Sequence, residues 1–346
     1  MSAEPPVSDL AIDAHVIRGA SARHVGAVVS TGSEIVWSGG ATEADRDLYR
    51  YVPGALQPEL LFANSRDSIL SAVAGSSAGY VFTDERWSGD QQLGWRLWFL
   101  APQSINPVLL DQSTDDLLPS PTVAMSDGYI AWEVVHGTWE DRLNELRIAS
   151  VTDPTRPKTL LSVPGRDEYL EFPALWENEL WYGIVDNDWD AGTERPRIEM
   201  LDLRNPAAPP QVFGADQRAF MPAAGRDVVA WKSGGQTGSS ALNSGVLTIH
   251  RRDLGRHEEL PIPGPEQDAN RISYPSVGNR FITWWDDVRT RFYVYDLVER
   301  QFKRIAEYNA VGEEAVVKAS LSGDLLAYVH IVRDGERQLE WAVLPQ

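Results

Sequence analysis

The sequence predicts an all-β fold: a seven-bladed β-propeller of four-stranded antiparallel blades, closed by an N-terminal strand that completes the last blade. Three observations predict it. A short β-branched run ending in an aromatic residue recurs seven times. The copies keep one spacing, about 48 residues from one to the next between Trp37 and Tyr328, which is the length of a four-stranded blade. The seventh copy is short by one strand, and the N-terminus holds a spare one.

The elements follow in order. Residues 1–9 read as a polar, Pro-containing tail, and 10–346 as a single propeller domain. The spare strand lies in AIDAHVIRG, Ala11 to Gly19, ahead of a first inner strand near HVGAVV, His24 to Val29. The recurring runs are EIVW (Glu34 to Trp37), GYVF (Gly79 to Phe82), YIAW (Tyr129 to Trp132), NELW (Asn178 to Trp181), VVAW (Val228 to Trp231), FITW (Phe281 to Trp284) and LLAY (Leu325 to Tyr328). In the third unit PTVAM is the inner strand and Ser126-Asp127-Gly128 a tight turn. YIAWEVV is the second strand, HGTWEDRLN a long loop, ELRIASV the third strand and KTLLSV the fourth. The sixth unit reads the same way. Apolar residues alternate or run continuously for a few positions between Gly, Pro, Asn and Asp, the pattern of short strands. The second strands are apolar on both faces, as suits a sheet packed between neighbours. The seventh unit, LLAYVHIV then QLEWAVL, has no fourth strand, and the N-terminal segment is expected to pair its open edge. The repeat also admits six blades with an irregular end.

Composition narrows the function classes. The formal charge is −19, from 31 basic and 50 acidic residues. That argues against nucleic acid and anionic membranes as partners, since phosphates are bound by clustered Lys and Arg. There is no cysteine, so disulfides and Cys-based metal sites are excluded. The N-terminus shows no signal peptide, and no apolar run reaches the roughly 20 residues of a membrane span. A soluble, cytoplasmic protein is expected. The 13 Trp fit the wedge-shaped gaps between blades.

The copies PTVAMSDGYIAW, YPSVGNRFITW and MPAAGRDVVAW, with third strands ending in Asp202-Leu203, Asp253-Leu254 and Asp296-Leu297, resemble the TolB-type, WD40-like bacterial propeller repeats. The resemblance covers the chain from about residue 11 onward. It implies a propeller, often a protein-interaction platform, and carries no catalytic residue onto this sequence. The Asp-Leu pairs also have a physical reading: Asp caps a turn while Leu enters the blade core.

The long loops fall on one face of the ring, and function is expected there. They are DERWSGDQQLG, EVVHGTWEDR, DNDWDAGTE and WDDVR. Candidate binding residues are Trp87, Trp139, Trp189 and Trp285 with Asp84, Glu85, Glu133, Asp286 and Asp287. A Trp ring stacks on sugars or cations, and carboxylates accept their hydrogens. The bland alternative has each ring folded back as a loop anchor. Asp186, Asp188 and Asp190 have the D-x-D-x-D spacing of a calcium loop, with Glu194 near. Ala191 stands where that loop takes Gly, and Arg197 where it takes the bidentate Glu, so a solvated acidic hairpin is the alternative. Gly75-Ser76-Ser77-Ala78-Gly79 matches G-x-S-x-G but sits between strands, not before a helix. The six His are scattered.

The leading expectation is a non-enzymatic scaffold that engages a partner, chiefly protein, through the acidic, Trp-containing loop face, with no cofactor beyond a possible calcium ion. The rival is a glycan-binding or carbohydrate-active propeller, a hydrolase or lyase with carboxylates converging at the channel mouth.

Overall fold

The computed structural model describes residues 7–10, 12–19, 24–42, 45–64, 68–88, 91–114, 120–137, 141–165, 168–188, 193–234, 246–260, 273–286, 291–305, 315–331 and 337–346. Every regular element among them is a strand. The strands form seven sheets, one per repeat, each built on four antiparallel strands. Blades one to six follow the chain at 28–62, 68–113, 123–164, 168–213, 220–260 and 273–305. Blade seven joins Ala315–Ser322, Leu325–Ile331 and Arg337–Val343 to His15–Ile17, which forms its outer strand.

Closure is therefore made by the N-terminal segment, as the missing strand predicts. Val16 pairs with Glu340 and Ile17 with Leu339. Ile17 is 4% exposed, and burying such a side chain contributes about 1.5–3 kcal/mol. The sequence does not foretell what precedes it. Val7–Leu10 adds a fifth strand to blade six, parallel to Gln301–Ile305, so the segment read as a tail ends in a strand. Leu10 is buried between blades six and seven.

Among the described residues, each of seven hydrophobic clusters joins two neighbouring blades, and the last returns to the first. A ring of seven interfaces excludes the six-blade alternative. The recurring aromatics Trp37, Phe82, Trp132, Trp181, Trp231, Trp284 and Tyr328 are all buried in these interfaces. The Asp-Leu pair at Asp296-Leu297 caps its turn. Asp296 accepts the amides of Val298 at 2.9 Å and Glu299 at 3.0 Å, while Leu297 is buried. Leu254 departs from the pattern and is half exposed.

The inner strands surround a central channel. At one end the tight turns are laced blade to blade. Ser77 donates to Asp127 at 2.8 Å, the Asn279 amide to the Gly323 carbonyl at 2.9 Å, and the Ser30 amide to Ser320 at 2.9 Å. Gly278 permits this approach, since a Cβ there would stand 2.3 Å from the Gly323 oxygen.

Candidate functional site

The channel encloses a cavity of about 1330 Å³ lined by the inner strands of all seven blades. Its walls are chiefly small or apolar: Ala27, Val73, Ala124, Ala174, Ala223 and Ala319 contribute on successive sides. Among its described lining residues the only carboxylates are Asp127 and Glu177, both at the tight-turn end.

The opposite end is built differently. Phe172, Met221 and Tyr274 occupy equivalent places in blades four, five and six, five residues before the tight turn. Each precedes a proline: Phe172-Pro173, Met221-Pro222 and Tyr274-Pro275. Each has a positive φ, 46°, 49° and 49°. Each stands where the ladder slips register, between Glu171 and Ala174, Phe220 and Ala223, and Ser273 and Ser276. A bulky residue at positive φ is an outlier, and a following proline favours extended backbone instead. Such strain costs about 1–3 kcal/mol per site and persists only where the surroundings enforce it. A bulge breaks the strict alternation of side chains and re-aims one of them, here into the channel. The Phe172 and Tyr274 rings meet edge to face, centroids 6.2 Å apart at 74°. Tyr274 remains 66% exposed. Trp285 and Phe292 line the same end.

The residues expected to form a binding face are placed as follows. Trp285 lies in the strand Phe281–Asp286, half-buried, and lines the channel rather than a rim loop. Trp87 is 39% exposed in the strand Gly79–Ser88. Asp84 is buried and bonded by Arg96. Glu85 accepts the Ser120 hydroxyl. Glu133 accepts the Thr122 hydroxyl at 2.9 Å, and burial pushes its carboxyl up to about 7 against the pull of Thr122 and Arg142. Asp286 pairs with Arg291 in the ladder of blade six. Trp139, Trp189 and Asp287 lie outside the described residues.

The acidic stretch of blade four is a hairpin rather than a long loop, with Asp186 opposite Arg195 and Asp188 opposite Thr193. Arg197 binds Asp186 at 2.6 Å and Glu199 at 2.8 Å, and Tyr182 donates to Glu199 at 2.9 Å. Burial, then the hydrogen bond and charge of Asp186, push the Glu168 carboxyl up. Asp190 lies outside the described residues, and among those described no group of three His, Cys, Asp or Glu is placed to hold a metal. Ser77 of the G-x-S-x-G stretch sits in a strand-to-strand turn, as its context predicts. No helix among the described residues is long and apolar enough to cross a membrane.

The grouping of Phe172, Met221 and Tyr274 at the channel end is not legible in the sequence. The available signal is a bulky-residue–Pro dipeptide within three successive inner strands, five residues before each tight turn.

No family model matches the chain, and no curated protein matches it in sequence. Solved structures do match. The β-propeller domain of the Trilobed protease from Pyrococcus furiosus aligns with a TM-score of 0.62 at 9% identity, over 94% of this chain and 94% of that one. A prolyl endopeptidase aligns with a TM-score of 0.57 at 10% identity, over 90% of this chain and 47% of that one. A structure of the mitotic checkpoint complex aligns with a TM-score of 0.54 at 10% identity, over 100% of this chain and 98% of that one. Acylaminoacyl peptidases match as well. The chain thus spans about half the length of the prolyl endopeptidase and acylaminoacyl peptidase structures. At these identities the likeness establishes the propeller fold.

The comparisons correct the expected function. Several of the solved structures this chain aligns with are peptidases or a protease's propeller domain, and none of those named above is a carbohydrate-active protein. The non-enzymatic scaffold and its carbohydrate alternative are accordingly withdrawn. Several of the acids expected on the acidic face are bonded to Arg or hydroxyl groups, and the two carboxylates among the channel's described lining residues lie at the laced end.

Proposed function

We propose that this chain is a peptidase-type propeller whose central channel receives an extended peptide destined for hydrolysis by a peptidase unit, its protein partner. The supporting observation is the channel itself. It is lined by all seven inner strands, exceeds the roughly 300–1,000 Å³ of small-molecule pockets, and is laced rigid at one end. Such a space admits a single extended chain and excludes a folded domain. The likeness to the propellers of peptidases supports the same reading.

Fluorescence anisotropy of a labelled unstructured peptide, titrated with the purified chain, tests it. The peptide is expected to bind, and a folded protein carrying the same segment in a loop is not. Ser276→Trp, which places a large ring on the channel wall, should abolish binding while leaving the melting curve intact. Undiminished binding by a folded Ser276→Trp variant rules the channel out.

A further inference from the structure

Resting on the channel reading, we infer that Phe172, Met221 and Tyr274 form a subsite that takes one aromatic side chain of the incoming peptide. The three residues share one blade position, one backbone anomaly and one direction into the channel. A structural role alone does not call for this. Glycine would adopt the same φ without strain, yet all three positions carry large apolar side chains. Core packing does not account for them either, because Tyr274 keeps most of its surface exposed to the lumen and Phe172 and Met221 are only half-buried.

The Phe172–Tyr274 contact fixes the shape of the subsite. The two rings belong to blades four and six, so they meet across the front of blade five, where Met221 stands. They make an edge-to-face pair with a flexible thioether beside it. Aromatic pairs accept a further ring in offset or edge-on geometry, and a Met sulfur makes favourable contacts at a ring edge. The facing wall, from blades one to three, offers Ala27, Val73 and Ala124, which leave room for a peptide backbone. Charge selects further. Among the described lining residues Asp127 and Glu177 are balanced by Arg226 and Lys318, so the bias against acidic peptides rests on the net charge of −19. The ligand class is an extended, neutral or cationic peptide with a Phe, Tyr or Trp side chain.

Calorimetric titration with capped pentapeptides tests this. The probes are acetyl-Gly-Gly-Phe-Gly-Gly-amide, its all-Gly counterpart, and the counterpart with Asp in place of Phe. The Phe peptide is expected to bind about tenfold or more tightly than the Gly peptide, as burial of a ring implies, and the Asp peptide most weakly. Tyr274→Gly and Phe172→Gly relieve backbone strain, so each should melt no lower than the parent. In both, the Phe-over-Gly preference should fall to within about twofold. If the parent binds the Phe and Gly peptides equally, the subsite is wrong and the channel reading stands. If the glycine variants instead bind every peptide more tightly, the three side chains are a plug, and the subsite is overturned. If the parent binds none of the peptides, both readings fall.

Discussion

Ile17 stands opposite Leu339 in the ladder that joins the beginning of the chain to its end, and both are buried in one cluster between blades seven and one. The ring is closed by this pairing. Ile17→Ala should cost about 2–5 kcal/mol by urea denaturation. Removing residues 1–5, which precede both N-terminal strands, should change little. Removing 1–20 deletes the outer strand of blade seven and the parallel strand on blade six together, and should lower the melting temperature and promote aggregation through the exposed edges. An unchanged melting curve for the longer deletion would show that the pairing carries no weight.

The recurring Trp and the rim Trp should behave oppositely. Trp284 and Trp132 are fully buried, and alanine at either should cost about 3–5 kcal/mol. Trp87 is 39% exposed, and its removal should stay within about 0.5 kcal/mol. Chemical denaturation of the three variants measures the contrast.

Glu133 should make stability fall toward alkaline pH. Its carboxyl keeps a proton up to about 7 in the folded chain, mainly because burial disfavours the charge, whereas the unfolded chain releases it near 4.5. Folding is therefore favoured in full below 4.5, and the contribution is lost as pH rises from there through 7. Glu133→Gln keeps an acceptor for Thr122 and removes the titration. It should equal the parent at pH 4 and exceed it at pH 8 by as much as about 3 kcal/mol. A pH-independent difference between the two proteins would contradict this.

His250 should act in the opposite direction. Burial, then the neighbouring His257 and Arg252, hold its imidazole below the ordinary 6.5. Its ring lies 5.0 Å from that of His257 and stacks on Trp231. The unfolded chain takes up the proton first, so stability present above 6.5 declines as pH falls through 6.5 toward the depressed folded value. His250→Phe should flatten the pH dependence of the melting temperature between 7.5 and 5.5. A slope identical to the parent's would assign the effect to other groups.

Calcium at the Asp186–Asp190 stretch is a proposal with a simple assay. An ion bound there must compete with Arg197 for Asp186. Under that proposal millimolar calcium raises the melting temperature by mass action, EDTA reverses the rise, and the pair Asp186→Asn with Asp188→Asn removes it. No shift in the parent leaves the stretch as an acidic hairpin neutralised by its own arginine.

Most of the fold could be read from the chain because each blade repeats one instruction: a β-branched run, then an aromatic that fills the interface. Trp37, Trp132 and Trp284 obey it at about one blade length per repeat, and the missing fourth strand points to the N-terminus. The site was less legible. Asp84 reads as a free rim acid until Arg96 is seen against it. Trp285 follows Trp284 and looks like the start of a loop, yet the strand continues and turns its ring to the lumen. Phe172, Met221 and Tyr274 look like ordinary strand residues before proline. Their backbone is set by register slips against neighbouring strands, and those belong to the ladder rather than to any local run of sequence.

The partners of the first strands lie far along the chain, in blades seven and six. His15–Ile17 needs Arg337–Val343, and Val7–Leu10 needs Gln301–Ile305. During synthesis at roughly 5–20 residues per second, the opening segment waits roughly 15–65 s for the chain that will hold it. Blades one to five can form meanwhile from contacts within each repeat, which are close in sequence and fast to find. The unpaired N-terminal strands are thus the newborn chain's exposed liability, and a chaperone or a stray edge from another copy has its longest opportunity there, before the ring shuts.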